Sequence, residues 1–113
     1  MITSVVNANL DPMVRVTLRD ASRNTHDIDA LVDTGFNGSL TLPHQLIKAL
    51  GLQWQTRATI TLANGAEDEV DVYAATVIWN GVPRRILVEA ANAEPLLGML
   101  LLLRHSLRID VLV

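Results

Sequence analysis

Ile28-Asp29-Ala30-Leu31-Val32-Asp33-Thr34-Gly35-Phe36-Asn37-Gly38-Ser39-Leu40-Thr41-Leu42-Pro43 is the most informative stretch of the chain. An apolar run, Ile28 to Val32, reads as a buried strand. It ends on a carboxylate, Asp33, followed by a hydroxyl and a glycine. The carboxylate is thereby set at a sharp turn. The Thr34 hydroxyl can lock into a hydrogen bond, and Gly35 lets a backbone come close. Asp, then Thr or Ser, then Gly turns up by chance in about one chain in twenty of this length. Taken alone, the triplet is better explained as a tight turn, with a local Asp side-chain bond and a glycine at positive φ. It occurs once in the chain.

Outward from this stretch the pattern is mostly strand. Val14, Val16 and Leu18 alternate with Arg15, Thr17 and Arg19, a half-buried strand. Ala21 to Asp27 reads as polar turn material. After Leu40 and Leu42, Pro43 suits a first helical turn. Leu46, Ile47 and Leu50 then make an apolar stripe that stops at Gly51. Ala58, Ile60 and Leu62 alternate, Asn64-Gly65 signals a hairpin, and Val70, Val72 and Ala74 alternate on its far side. Asn80-Gly81 signals a second hairpin, between Ala75–Trp79 and Val82–Glu89. Pro95 breaks the chain, Gly98 precedes a short helix from Met99 to about His105, and Leu107–Val113 alternates to the end. Ile2–Val6 is also strand-like. Two apolar terminal strands are expected to pair with each other and with a second copy, giving a two-fold dimer.

Composition narrows the function classes. The 113 residues are half apolar, with two Trp, one Tyr and one Phe, so the core is expected to be aliphatic. They suffice for one domain, 1–113. The net charge is −3, Lys48 is the only lysine and the arginines are scattered, which argues against a nucleic-acid partner. There is no cysteine. His26, His44 and His105 lack metal-ligand spacing, so no metal or other cofactor is expected. No signal peptide is visible, and the longest apolar run is too short to span a bilayer. The reading is a soluble, cytoplasmic protein with no membrane partner.

Three ordered landmarks carry a resemblance. They are Leu31-Val32-Asp33-Thr34-Gly35, the hairpin around Ala63-Asn64-Gly65-Ala66, and Leu96-Leu97-Gly98-Met99 followed by a leucine-rich helix and Leu107-Arg108-Ile109-Asp110-Val111. Together they span about residues 28 to 113. On them the chain resembles the retropepsin-like aspartic proteases, especially small single-domain bacterial members. The resemblance implies a mostly β, small closed barrel-like fold with one helix after the active-site strand and a short C-terminal helix, working as a homodimer. It implies an aspartic endopeptidase in which Asp33 of each chain forms a carboxyl dyad. Thr34 would hold the loops across the two-fold axis and Gly35 would admit substrate backbone. Phe36, Asn37 and the flap residues Ala63, Asn64, Gly65 and Ala66 would contact a peptide or protein substrate. Leu97 and Gly98 would support the Asp33 loop from behind.

The chain departs from the family at defined places. Phe36 stands where Ala or Ser is usual, and Asn37 and Gly38 where an Asp often binds substrate backbone. The flap has a single Gly65, followed by Glu67-Asp68-Glu69, which with Asp71 reads either as a solvated hairpin face or as a flank that favours basic or neutral peptides over acidic ones. These departures bear on groove shape and keep a second reading open: a non-catalytic dimeric module that binds a peptide or protein on the same fold. Asp29 and Asp110 read as surface or interface charges, and Trp54 and Trp79 as packing residues.

Overall fold

The computed structural model describes residues 1–111. Nine strands and two short helices follow in the order β1 (Ile2–Val6), β2 (Pro12–Arg19), β3 (Thr25–Val32), β4 (Leu40–Leu42), α1 (His44–Leu50), β5 (Gln53–Thr61), β6 (Glu67–Trp79), β7 (Val82–Ala90), β8 (Leu96–Leu97), α2 (Met99–Leu102) and β9 (Leu107–Asp110). The strands form one mixed sheet in the order β5-β6-β7-β4-β8-β3-β2-β1-β9. A further pairing of β6 with β2 curls it into a partial ring.

The alternation along β2 does what a half-buried strand requires: Val14, Val16 and Leu18 point into the core. The largest side chains with essentially no exposure are aliphatic apart from Ser4: Leu18, Leu40, Leu42, Leu97, Leu101, Val16, Val77 and Val88. Each contributes about 1.5–3 kcal/mol relative to exposure. The buried Ser4 hydroxyl donates to the Met13 carbonyl at 3.1 Å, so it carries no unpaired polar group. Helix α1 buries Ile47 and Leu50 and stops at Gly51, which takes the left-handed conformation (φ 66°). Pro43 is its N-cap, one residue ahead of the first turn.

Several boundaries differ from the sequence reading. β3 begins at Thr25, so Thr25–Asp27 is strand rather than turn. Those residues are polar because this end of β3 is exposed. Pairing with β2 as far as Arg19↔Thr25 holds them, helped by a Thr17–Asp27 hydrogen bond of 2.6 Å. The turn proper is Asp20–Asn24, where the Asp20 carboxylate accepts the N–H groups of Ser22 and Asn24. β5 begins at Gln53 with a bulge between Trp54 and Thr56. β6 is one strand of 13 residues, whose first half pairs with β5 and whose second half pairs with β7 and β2. Helix α2 ends at Leu102; Arg104 turns left-handed (φ 66°) and His105 N–H closes on the Leu102 carbonyl. Trp79 is buried, whereas Trp54 is exposed and donates its indole N–H to Asp71.

The terminal strands pair within the chain: β1 lies parallel to β9, from Ile2↔Leu107 to Val5↔Asp110. The expected continuation of β9 to Val113 falls partly outside the described residues. Asp29 and Asp110 are surface carboxylates beside Arg15 and Arg108.

The two Asn-Gly hairpins use different turns. Asn80 (φ 51°) and Gly81 (φ 77°) are both left-handed and join directly paired Trp79 and Val82, a two-residue type I′ turn. At the other tip only Gly65 (φ 84°) is left-handed. Gly65 N–H bonds to the Leu62 carbonyl and Leu62 N–H to the Ala66 carbonyl, a three-residue loop closed by a glycine bulge.

Candidate active site

Asp33 follows the last residue of β3, in a part of the sheet where three neighbouring strands meet. β8 is wedged between β3 and β4: Val32↔Leu97 run parallel, and Leu40↔Leu97 antiparallel. Asp33 N–H donates to the Leu97 carbonyl at 2.9 Å. The chain then turns, with Phe36 N–H on the Asp33 carbonyl at 3.1 Å and Gly35 N–H on Asp33 Oδ1 at 2.9 Å. Asp33 is half-buried, and Thr34 and Gly35 are exposed. Gly35 lacks the positive φ that a simple turn suggested. Its constraint is proximity: a Cβ there would stand 3.3 Å from Asp33 Oδ1.

The rest of the loop hangs on the start of α2. Gly98 N–H donates to the Ser39 carbonyl (2.9 Å), Met99 N–H to that of Phe36 (2.8 Å) and Leu100 N–H to that of Gly38 (3.1 Å). These are N–H groups that a helix start leaves unpaired, so loop and helix satisfy each other. A side chain at Gly98 would drive its Cβ into the Gly38 carbonyl oxygen. Leu97 beside it is fully buried.

Next to this loop lies an open cleft of about 900 Å³. Phe36 and Asn37 line it, as do Gly38, Ser39 and Thr41. Ala58, Ile60 and Thr61 of β5 and Val70 and Val72 of β6 line it as well. Asp33 itself stands at the start of the loop rather than in the cleft wall. The β5–β6 hairpin thus meets the cleft through its strands. Its tip, Ala63, Asn64, Gly65 and Ala66, is exposed and lies beyond the cleft wall. The acidic flank is partly neutralised, since Arg57 pairs with Glu69 at 3.6 Å and with Asp71 at 3.4 Å. Asp71 is held below its ordinary value by the Trp54 hydrogen bond first and by Arg57 next.

The floor of the cleft comes from β7, which sequence reasoning did not assign to the site. Leu87 and Glu89 line it, with the exposed Leu100 of α2. The strict alternation of β7, with Ile86, Val88 and Ala90 buried, was a usable signal for an opposite face carrying Arg85, Leu87 and Glu89. Burial raises the Glu89 carboxyl above its ordinary value. Among the described residues no group of three or more His, Asp or Glu side chains is placed to hold a metal ion.

No protein-family model matches the sequence, and no curated protein is significantly similar to it. Solved structures do match. One is the EIAV protease complexed with the inhibitor HBY-793, with a TM-score of 0.58 and 21% identity over 85% of this chain and 88% of that one. Another is the solution structure of the simian foamy virus (mac) protease, with a TM-score of 0.51 and 19% identity over 74% of this chain and 86% of that one. The fold of this chain is retropepsin-like, the fold of retroviral proteases.

Proposed function

We propose that the chain is an aspartic endopeptidase that works as a two-fold homodimer, each copy supplying Asp33. One observation carries this reading. In a retropepsin-like fold, the single Asp-Thr-Gly stands at the end of β3, partly exposed and backed by β8, next to an open cleft of about 900 Å³. Hydrolysis without a metal or a covalent nucleophile needs a base to activate water and an acid for the leaving nitrogen. One carboxyl cannot be both at once. Two facing carboxyls can, because like charges in close contact do not both ionise: one keeps its proton while the other takes a proton from water.

The remaining residues take supporting parts. The Gly35 N–H on Asp33 Oδ1 leaves the other carboxylate oxygen to face water or the partner Asp33. The exposed Thr34 hydroxyl is available to the second loop across the axis. Gly35 admits substrate backbone, and Phe36 and Asn37 shape the near wall of the cleft. The β5–β6 hairpin closes over the substrate, with Ala63–Ala66 as its leading edge, and excludes water. Peptides and proteins are the substrate class.

The test is cleavage of a mixed peptide library from acidic to neutral pH, beside Asp33→Asn. The wild type is expected to cleave. The variant keeps the shape but not the shareable proton, so it is expected to fold identically and cleave nothing. Wild-type-like cleavage by a folded Asp33→Asn protein overturns the proposal.

A further inference from the structure

Glu89 is an acidic side chain in the floor of a mostly apolar cleft. It is paired in register with Thr41 of β4 on one side and Val72 of β6 on the other, neither of them charged. Its carboxylate reaches over Gly38: Oε2 lies 3.0 Å from where a Gly38 Cβ would stand. Glycine at 38 therefore makes room for this carboxylate beside the loop that carries Asp33. Among the described residues no arginine, lysine or histidine lies within ion-pair distance of it. The cations that line the same cleft, Arg84 and Arg85, are further along β7. Arg85 shares the face of Glu89 but stands four residues away, about 13 Å along the strand.

A partly desolvated carboxylate without a counter-charge gains most from a cation that enters with the ligand. The strand surface around it, Val72 and Leu87, offers apolar contact for the methylene stem of a lysine or arginine. Burial also holds the carboxyl above its ordinary value, as expected for an acid that lacks such a partner. We infer that Glu89 is a specificity-determining residue that receives a basic side chain at one defined position of the bound peptide. The inference rests on the peptidase reading for its biological meaning, but binding can be measured without turnover. Because Arg84 and Arg85 line the cleft elsewhere, the part of the preference that depends on Glu89 is local to one peptide position.

The experiment scans capped peptides in which each position in turn is Lys, Gln or Glu. Their affinities are measured by fluorescence anisotropy at low salt against the full chain carrying Asp33→Asn, with Glu89 intact, with Glu89→Gln and with Glu89→Lys. Cleavage of the same peptides is followed with Asp33 intact. One position is expected to favour Lys over Gln by about fivefold with Glu89 present. The ratio should fall to about one in Glu89→Gln and invert toward Glu in Glu89→Lys. The charge reversal keeps the test decisive if Glu89→Gln does not fold. A preference confined to one position that survives both substitutions, or no position that stands out from the rest, overturns the inference. If the preference is present but the wild type cleaves nothing, the inference stands and the peptidase reading falls. If the wild type cleaves without a Glu89-dependent preference, the reverse holds. Failure of every peptide to bind overturns both.

Discussion

The Phe36 ring occupies space that any side chain at Gly98 would need: a Cβ on Gly98 would stand 2.5 Å from Phe36 Cδ2. The same ring lies 2.5 Å from where a Gly38 Cβ would be. Phe36 therefore acts as a wedge between the loop that carries Asp33 and the start of α2, and two glycines make room for it. This gives a packing reason for a bulky residue after the Asp-Thr-Gly triplet.

Gly98→Ala should be severely destabilising. The added methyl clashes with the Gly38 carbonyl oxygen as well as the ring, and a backbone atom cannot swing aside. Overpacking of this kind costs about 3 kcal/mol or more, a fall in melting temperature of more than about 10 °C. Phe36→Ala in the same chain removes the ring clash but not the carbonyl clash, so it should not restore stability. Thermal unfolding of the two single variants and the double variant checks this. Full rescue by Phe36→Ala would show that the ring, not the carbonyl, sets the limit.

Glu89 should make stability depend on pH. Its carboxyl is held above the ordinary 4.5 by burial. A folded-state value above the unfolded one means that the native protein holds this proton more tightly. The associated stability is therefore fully present below the unfolded value and is lost as pH rises through the folded one. Glu89→Gln carries no such loss. The melting temperature of the variant relative to the wild type should rise from below pH 4.5 toward neutrality. A difference that stays constant across that range would contradict the assignment.

The sequence showed some of this and not the rest, for reasons visible at particular residues. The Asp33 loop was legible because its chemistry is local: a strand end, a turn and a glycine. Asn80-Gly81 was legible because a type I′ turn demands two left-handed residues. Thr25–Asp27 was not, because polar residues there are held by cross-strand pairing with β2 instead of by burial. The cleft floor was not, because alternation along β7 shows which face leaves the core but not that the Asp33 loop and the β5–β6 hairpin line the same cleft. The role of Gly38 and Gly98 was only half visible: glycine was recognised behind the loop at Gly98, but the ring that requires both glycines belongs to Phe36, whose direction no local rule specifies.

Gly65→Ala should destabilise the hairpin tip without touching the fold. Nothing lies within 4 Å of a Cβ at this position, so the whole effect comes from φ 84°. Placing an L-residue there costs about 1–2 kcal/mol. Amide hydrogen exchange should quicken around residues 62–66 and stay unchanged in β2 and β3. In the proposed peptidase, cleavage should slow through the lid. An exchange pattern equal to that of the wild type would show that the tip is already open.

The acidic flank of the hairpin should steer peptides only at low salt. Glu69 already shares Arg57 with Asp71, and Glu67 and Asp68 are exposed. Exposed charges are screened beyond about 10 Å at about 0.1 M salt. Changing Glu67, Asp68 and Glu69 to Gln should reduce the preference for basic over acidic peptides at low salt and leave it unaltered at physiological salt. An unchanged ratio at low salt would reduce the flank to a solvated face.

Mixing wild type with Asp33→Asn tests whether two chains share one site. If a dyad needs one Asp33 from each copy, a mixed dimer is inactive. At equal amounts and free exchange, random pairing makes about one quarter of the dimers fully wild type. Activity should then fall to about a quarter of that of the same total protein without the variant. Chains acting alone would retain about half. The mixing must be done where subunits exchange, and sedimentation at the assay concentration should show the dimer. Retention of one half by a sedimenting dimer would mean that each Asp33 works without its counterpart, and the shared-dyad mechanism would have to be abandoned.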